Sequence, residues 1–355
     1  MMFFELIQVA IGGKEKLSQT PSAEEWNNLY MEAQRQSVVG VVLEGVQRLP
    51  QEQWPPQMLL LQWIGYNEQI KQRNLCINER CVGLLAKMAS AGLRPTILKG
   101  QGLAKYYSSP LQDLRQAGDI DVYISDGREK AISFAKSIGQ ENIDWDYKHL
   151  HLHIWDDTEI ELHYRVEVLF NLWKNKKLQR WFKDNEKLLY SQNGVLITPT
   201  VEMNVFYVLL HIYRHFFTEG VGLRQLMDYY YVLKSAKDVK LEYANGESIE
   251  DVLRAFGMWK FANGVMWIMQ EVFALEREYM YCEPSEGEGR FIMDRVWERG
   301  NFGHCQKKSH IEGLGKLNTL ISVTKNNLSI MRRYPSEALA SPIWYVWHKG
   351  WKLTR

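Results

Sequence analysis

The sequence has no long uncharged apolar run, and this absence limits where the protein can work. A helix that crosses a membrane needs roughly 18 or more consecutive apolar residues, and no stretch of the 355 residues approaches that length. The N-terminus from Met1 to Ile11 is apolar but short, carries Glu5 and lacks a basic segment, unlike a secretory signal. We therefore expect a cytoplasmic protein without a membrane partner.

Paired cysteines and an excess of one charge are also missing. The four cysteines, Cys76, Cys81, Cys282 and Cys305, form no Cys-x-x-Cys pair, which argues against a zinc knuckle or a redox motif and suits reduced thiols. The 43 basic and 42 acidic residues give a net charge of +1, so no global field selects nucleic acid or an anionic membrane.

Helical patterns occupy both ends of the chain, and a different pattern occupies the middle. Ser22 precedes an acidic turn and predicts the start of a helix. A second long apolar pattern runs from about Gln57 to Ala91. The predicted division is an N-terminal helical region at 1–93, a core at 94–166 and a C-terminal helical region at 167–355.

The middle region alternates between strand and helix signals. A strand is predicted at "RPTILKG", with a helix after its glycine turn, and a second strand at "GDIDVYIS". A helix at "DGREKAISFAKSIG" follows, and then a hairpin formed by "HLHLHIW" and "EIELHYRV". The predicted fold is therefore α+β, with a small mixed sheet embedded in mostly helical N- and C-terminal regions.

Two aspartates lie two residues apart in "GDIDVYIS". Because a strand has a period of two, Asp119 and Asp121 project from one face, and carboxylates that close repel each other unless a cation neutralises them. Mg²⁺ prefers such oxygen ligands, and Glu161 on the later strand "EIELHYRV" offers a third carboxylate. On this reasoning, Asp121→Asn should be neutral or stabilising in the metal-free protein.

A glycine turn precedes the aspartates. Gly100 and Gly102 flank Gln101 where a strand meets a predicted helix, and glycines there let backbone N–H groups approach a phosphate. Lys99 lies beside the turn and belongs either to a cleft or to the surface. Arg115, in the loop before the aspartates, either grips a phosphate or pairs with Asp113 or Asp119.

These features resemble the nucleotidyltransferase superfamily of the polymerase-beta type. The stretches "ILKG", "LR", "GDIDVYI" and "IELHYRV" look like its bacterial branch with a helical N-terminal region, and residues 98–165 carry the specific signal. The resemblance implies that Asp119, Asp121 and Glu161 are the catalytic residues and bind Mg²⁺ or Mn²⁺. It also implies that Gly100 begins a turn for the phosphates of a nucleoside triphosphate.

The resemblance leaves several functions open. The first is Mg²⁺-dependent transfer of a nucleoside monophosphate from an NTP to the hydroxyl of an unknown small-molecule or macromolecular acceptor, with Glu161 also helping to deprotonate it. The alternative is a catalytically inactive nucleotidyltransferase-like binding protein, because Gln101 stands where the superfamily usually has serine. A third, RNA-acting enzyme is favoured only by the basic tail from Asn301 to Arg355, whose three tryptophans either stack bases or pack inward.

Histidines offer further candidates. Three of them, His149, His151 and His153, share a strand face but span about 13 Å, so we read them as a half-exposed face and not as one metal site. His163 shares the Glu161 face and can orient that acid. A helix near residue 211 also resembles the branch: His211 and His215 share a helix face and either pack or face substrate, and Arg224 and Asp228 form either an ion pair or part of a cleft.

Overall fold

The computed structural model describes residues 1–300 and 330–353 and confirms the α+β prediction. Fourteen helices and six strands lie in those two ranges, apart from short 3-10 turns. The remaining part of the basic tail, residues 301–329, lies outside the described residues, together with the last two.

The N-terminal region is helical, as predicted. Ser22 caps α2 in a reciprocal box: its hydroxyl accepts from the N–H of Glu25, and the Glu25 carboxylate accepts from the N–H of Ser22 at 2.7 Å. The long apolar pattern from residue 57 forms one 34-residue helix. The bounds are α1 Met2–Ala10, α2 Ala23–Arg35, α3 Val39–Arg48 and α4 Gln57–Ser90.

The middle region forms a mixed four-stranded sheet in the order β1-β2-β4-β3. β2 pairs antiparallel with β1 and parallel with β4, and β3 and β4 form the predicted antiparallel hairpin. The bounds are β1 Pro95–Ile97, α5 Gln101–Ala104, α6 Leu111–Leu114, β2 Ile120–Ile124, α7 Arg128–Ser137, β3 His149–Trp155 and β4 Thr158–His163.

The C-terminal region returns to helices after a small two-stranded hairpin at the "SQNGV" turn. Its elements are α8 Leu172–Asp184, β5 Ser191–Asn193, β6 Leu196–Thr198, α9 Val201–Phe217, α10 Leu223–Ser235, α11 Ile249–Phe256, α12 Trp259–Phe273, α13 Glu286–Arg299 and α14 Pro335–Leu353.

Two apolar cores support these elements. One lies under the sheet, where Val122 and Leu162 pack with the second half of α4 and with α7. The other is larger and joins helices from both ends of the chain, since α1 packs against α3 and also against α12. The division at residues 93 and 166 stays a prediction, and the two helical regions share this second core.

The described part of the C-terminal tail packs its aromatic residues inward. Trp344, Trp347 and Trp351 of α14 contact the ring of Tyr147, with centroids 5.1–5.6 Å apart. These contacts bury Trp344 and leave Trp347 and Trp351 partly exposed. Within residues 1–300 and 330–353, no helix is both long and apolar enough to cross a bilayer.

Candidate functional site

Asp119, Asp121 and Glu161 come together at one edge of the sheet and form what we call the carboxylate cluster. β2 and β4 are parallel neighbours, and Asp121 is the direct partner of Glu161 in their register. Asp119 immediately precedes β2 and shares the face of Asp121. One oxygen from each of the three carboxylates lies within 4.8 Å of the others, a spacing that one or two divalent cations could bridge.

The charge of the cluster is unevenly compensated. The Asp121 carboxylate accepts from Lys99 Nζ at 2.7 Å and from His163 Nε2 at 3.0 Å. Burial alone would raise its pKa, but Lys99 and His163 lower the pKa of Asp121 to about 2. The negative charge of Asp121, with burial, raises the pKa of Asp119 instead. Our expectation that Asp121 lacks compensation is therefore wrong; Asp119 is the carboxylate that repulsion destabilises.

Histidines lie directly beside Glu161. His163 Nε2 is 3.1 Å from Glu161 Oε2, so one N–H faces two carboxylates, as the sequence suggested for an orienting histidine. His149 is buried and its Nδ1 lies 3.5 Å from the same oxygen. The prediction of a half-exposed face on β3 therefore holds for His151 and His153 but not for His149. Burial and the charge of His163 lower the pKa of His149 to about 4.

The signal for His149 was in the hairpin register and not along one strand. His149 is the direct partner of His163, and His151 is the partner of Glu161. Side chains opposite each other in an antiparallel pair lie on one face, about 5 Å apart. Counting histidines along β3 alone missed this cross-strand neighbourhood.

The glycine turn sits at the N-terminus of α5. Gly100 has φ 56° and ψ −115°, which favours glycine, and a Cβ on Gly102 would approach the Ile97 carbonyl to 2.8 Å. The N–H groups of Gly102 and Leu103 are bonded to the carbonyls of Lys99 and Gly100. The side chain of Gln101 donates to Asn78 of α4 at 2.5 Å.

Lys99 lines a cleft and not the outer surface. The cleft opens to solvent and lies between the glycine turn, the cluster and helices α9 and α10. Its polar lining includes Lys99, Arg115, Asp119, Asp121, His211, Arg224 and Asp228.

Arg115 is held at the back of this cleft by a partner that the sequence did not indicate. Its Nε and Nη2 donate to the two carboxylate oxygens of Asp228, at 2.6 and 2.8 Å, and Tyr107 donates to the same carboxylate at 2.7 Å. Neither Asp113 nor Asp119 takes this place. Arg115 Nη1 is buried and has no hydrogen-bond partner among the described residues. The loop itself is fixed by Asn74, which donates to the Arg115 carbonyl at 2.8 Å.

Two helices from the C-terminal region close the cleft. Arg224 of α10 donates to the Gln116 carbonyl at 3.0 Å. His211 of α9 lines the cleft, and its Nδ1 is 3.1 Å from Oε2 of the buried Glu167. The sequence left His211 open between packing and a substrate-facing role, and it gave no sign of Glu167, which lies in the segment after β4.

Comparison with known proteins gives one match. No curated protein and no solved structure matches the chain. The family described as "Uncharacterised nucleotidyltransferase" matches residues 22–274. This span covers well over half of the chain and includes the glycine turn, the carboxylate cluster and both cleft helices, so the chain belongs to this nucleotidyltransferase family.

Proposed function

We propose that the protein transfers a nucleoside monophosphate from an NTP to an acceptor hydroxyl, in a reaction that depends on Mg²⁺ or Mn²⁺. The observation that carries this proposal is the convergence of three carboxylates within 4.8 Å of one another, at the edge of a cleft that also holds Lys99 and Arg115. Family membership supports the reaction class, and the cationic side chains that line the cleft support a phosphorylated substrate.

The carboxylate cluster fits a divalent cation. All three ligands are carboxylates, which Mg²⁺ and Mn²⁺ accept, and the raised pKa of Asp119 reflects a repulsion that a cation would relieve. Asp119, Asp121 and Glu161 would hold the ion, which would neutralise phosphate charge and orient the triphosphate.

The chain's own cations would bind the rest of the triphosphate. Lys99 lies next to the glycine turn and faces the cluster. Arg115 is 5% exposed, and its unpartnered Nη1 can donate to a phosphate oxygen while Asp228 holds the other two nitrogens. Gly100 permits the tight turn that places Lys99 beside the backbone at the start of α5. The acceptor oxygen would then attack the α-phosphorus, and pyrophosphate would leave.

Pyrophosphate release tests this function. The four NTPs are screened with Mg²⁺ or Mn²⁺ against pools of hydroxyl-bearing acceptors. Glu161→Gln should abolish release, because an amide is a poor ligand for the ion. Glu159→Gln is the matched control: it lies one pleat away on the same strand and face, its side chain is 61% exposed, and release should be unchanged. Release that survives Glu161→Gln would refute the assignment of the cluster.

A nucleotide-binding protein without transfer activity is the second candidate. The observation that favours it is the glycine turn. Gln101 stands where the superfamily usually has serine, and its side chain donates to Asn78. The next two N–H groups in the turn are already bonded to backbone carbonyls. Calorimetry with a non-hydrolysable NTP and Mg²⁺ separates the two. Binding together with no pyrophosphate release, under every acceptor pool, would favour the binding protein.

A further inference from the structure

His211 lines the cleft, but the transfer reaction proposed above assigns no role to it. It lies on α9, is 6% exposed, and lines the cleft together with Asp119 and Asp121. The small exposed part of its side chain therefore faces the cleft in which substrates would approach the carboxylate cluster.

Glu167 fixes which imidazole nitrogen faces the cleft. Glu167 is 1% exposed, and its Oε2 lies 3.1 Å from His211 Nδ1. Its other oxygen accepts from the N–H of Val168 at 3.0 Å and lies 3.5 Å from Lys148 Nζ. A carboxylate with these partners is ionised and can only accept, so Nδ1 carries the hydrogen and Nε2 keeps its lone pair.

The surrounding charges favour a neutral imidazole. Burial and the positive charges of Lys99 and His215 lower the pKa of His211 well below its ordinary value, although Glu167 acts in the opposite direction. Lys148 and the hydrogen bond from His211 in turn keep the pKa of Glu167 well below its usual range, in spite of burial. At neutral pH, His211 is thus available as a base.

We propose that His211 is the general base that takes the proton from the acceptor hydroxyl, and that Glu167 positions it. This proposal rests on the proposed function. The acceptor O–H bond breaks as Nε2 takes the proton, the acceptor oxygen forms a bond to the α-phosphorus, and the bond to pyrophosphate breaks with its electron pair leaving on pyrophosphate. His211 then returns the proton to solvent. The acceptor hydroxyl therefore docks beside α9, opposite the glycine turn.

The carboxylate cluster is less suited to this proton transfer. Asp121 is engaged by Lys99 and His163, and Glu161 Oε2 accepts from His163. His211 brings a separate lone pair to the same cleft, and its partner Glu167 is not among the described residues that line that cleft.

The first experiment does not depend on activity. Nitrogen-15 histidine spectra of the full chain, assigned with His211→Gln, should show a neutral ring with the hydrogen on Nδ1 at pH 7. Diethyl pyrocarbonate should modify His211, and an NTP with Mg²⁺ should protect it. A ring with its hydrogen on Nε2, or a His211 that the reagent does not reach, would overturn the proposal.

The second experiment uses pyrophosphate release with an acceptor that supports turnover. His211→Gln should lower kcat by about 100-fold or more, leave the NTP Kd within about twofold, and remove the acidic limb that we expect for the wild type well below pH 6.5. Glu167→Gln, which can still accept from Nδ1, should lower kcat by a smaller factor. His215→Gln is the matched comparison, one turn away on α9 and paired with Glu219 at 3.2 Å. It should keep kcat at neutral pH and keep the limb, but move the limb to higher pH, because the charge of His215 lowers the pKa of His211.

The outcomes separate the two proposals. If the wild type releases pyrophosphate and His211→Gln keeps its kcat or its acidic limb, the base assignment falls and the proposed function stands. If the wild type releases no pyrophosphate with any NTP and acceptor pool, the proposed function fails, and the base assignment falls with it. A selective loss of kcat with unchanged NTP affinity supports both.

Discussion

Replacing either aspartate of the pair with asparagine should change the stability of the metal-free protein, and the two changes should have opposite signs. Asp121 is 2% exposed and contacts Lys99 and His163, so Asp121→Asn removes the carboxylate that Lys99 contacts and one of the two that His163 contacts. Asp119 contributes a second negative charge that Asp121 repels, so Asp119→Asn removes an unfavourable interaction.

The size of the loss at Asp121 follows from its pKa. Its partners lower that pKa from an ordinary 3.8 to about 2, and each pKa unit corresponds to about 1.36 kcal/mol, which gives a loss of about 2 kcal/mol. The carboxylate is fully buried, so solvent screening does not reduce this figure. Asp119→Asn should raise the free energy of unfolding or leave it unchanged.

The two effects also differ in their pH dependence. A carboxyl group with a lowered pKa in the folded state stabilises the protein above its unfolded pKa, and this contribution disappears as pH falls toward 2. The penalty of Asp121→Asn should therefore be full at pH 7 and shrink below pH 4. Asp119 has a raised pKa in the folded state, so its charged form costs stability at pH 7 and the advantage of Asp119→Asn should fade in acid.

Urea unfolding in EDTA at pH 7 measures both free energies. Asp113→Asn, an exposed aspartate on α6, is the control and should stay within about 0.5 kcal/mol of wild type. An Asp121→Asn protein as stable as wild type, or an equal loss from Asp119→Asn, would refute the charge arrangement described above.

Three further predictions concern Lys99, the glycine turn and two glycines in helices. Lys99→Met should tighten Mn²⁺ binding to the nucleotide-free protein by about tenfold, equivalent to about 1.4 kcal/mol, and weaken nucleotide binding; unchanged Mn²⁺ affinity in calorimetry would contradict this. Gly100→Val should lower nucleotide affinity by at least about tenfold because of its positive φ, whereas Gln101→Ser should leave that affinity unchanged and cost about 1 kcal/mol of stability. Gly40→Ala places a Cβ 2.4 Å from a backbone carbonyl and should cost about 1–3 kcal/mol in thermal unfolding, while Gly65→Ala, with open space around it, should stabilise α4 by about 0.5–1 kcal/mol.

Local pattern was sufficient for the strands and for the face of each acid. Period-two alternation placed Asp119 and Asp121 on one side and Ile120 and Val122 on the other, and the structure buries the latter two in the core under the sheet. Pattern could not show that β4 lies beside β2 and parallel to it, which is what brings Glu161 opposite Asp121. The sequence indicated Glu161 as a third carboxylate on a later strand but gave no strand order.

Long-range partners of the charged groups were beyond local pattern. Asp228 is 113 residues from the Arg115 that it binds, and the only partners that sequence proximity offered were the nearby aspartates. The pairing of His211 with Glu167 spans 44 residues. Both pairs depend on the long-range packing of α9 and α10, which no spacing within either helix encodes.

The contact between Lys99 and Asp121 suggests how metal and nucleotide binding are coupled. In the metal-free protein, Lys99 neutralises Asp121 at 2.7 Å, so a divalent cation must compete with an ammonium group for that oxygen. Lys99 directly precedes the glycine turn, and a rotation of its flexible side chain moves the ammonium from the carboxylate toward the place where phosphates would lie. A triphosphate arriving with its cation supplies both the charge that replaces Lys99 and the anion that receives it. We therefore expect the two ligands to bind more tightly together than separately, because each removes the electrostatic cost that the other would meet alone.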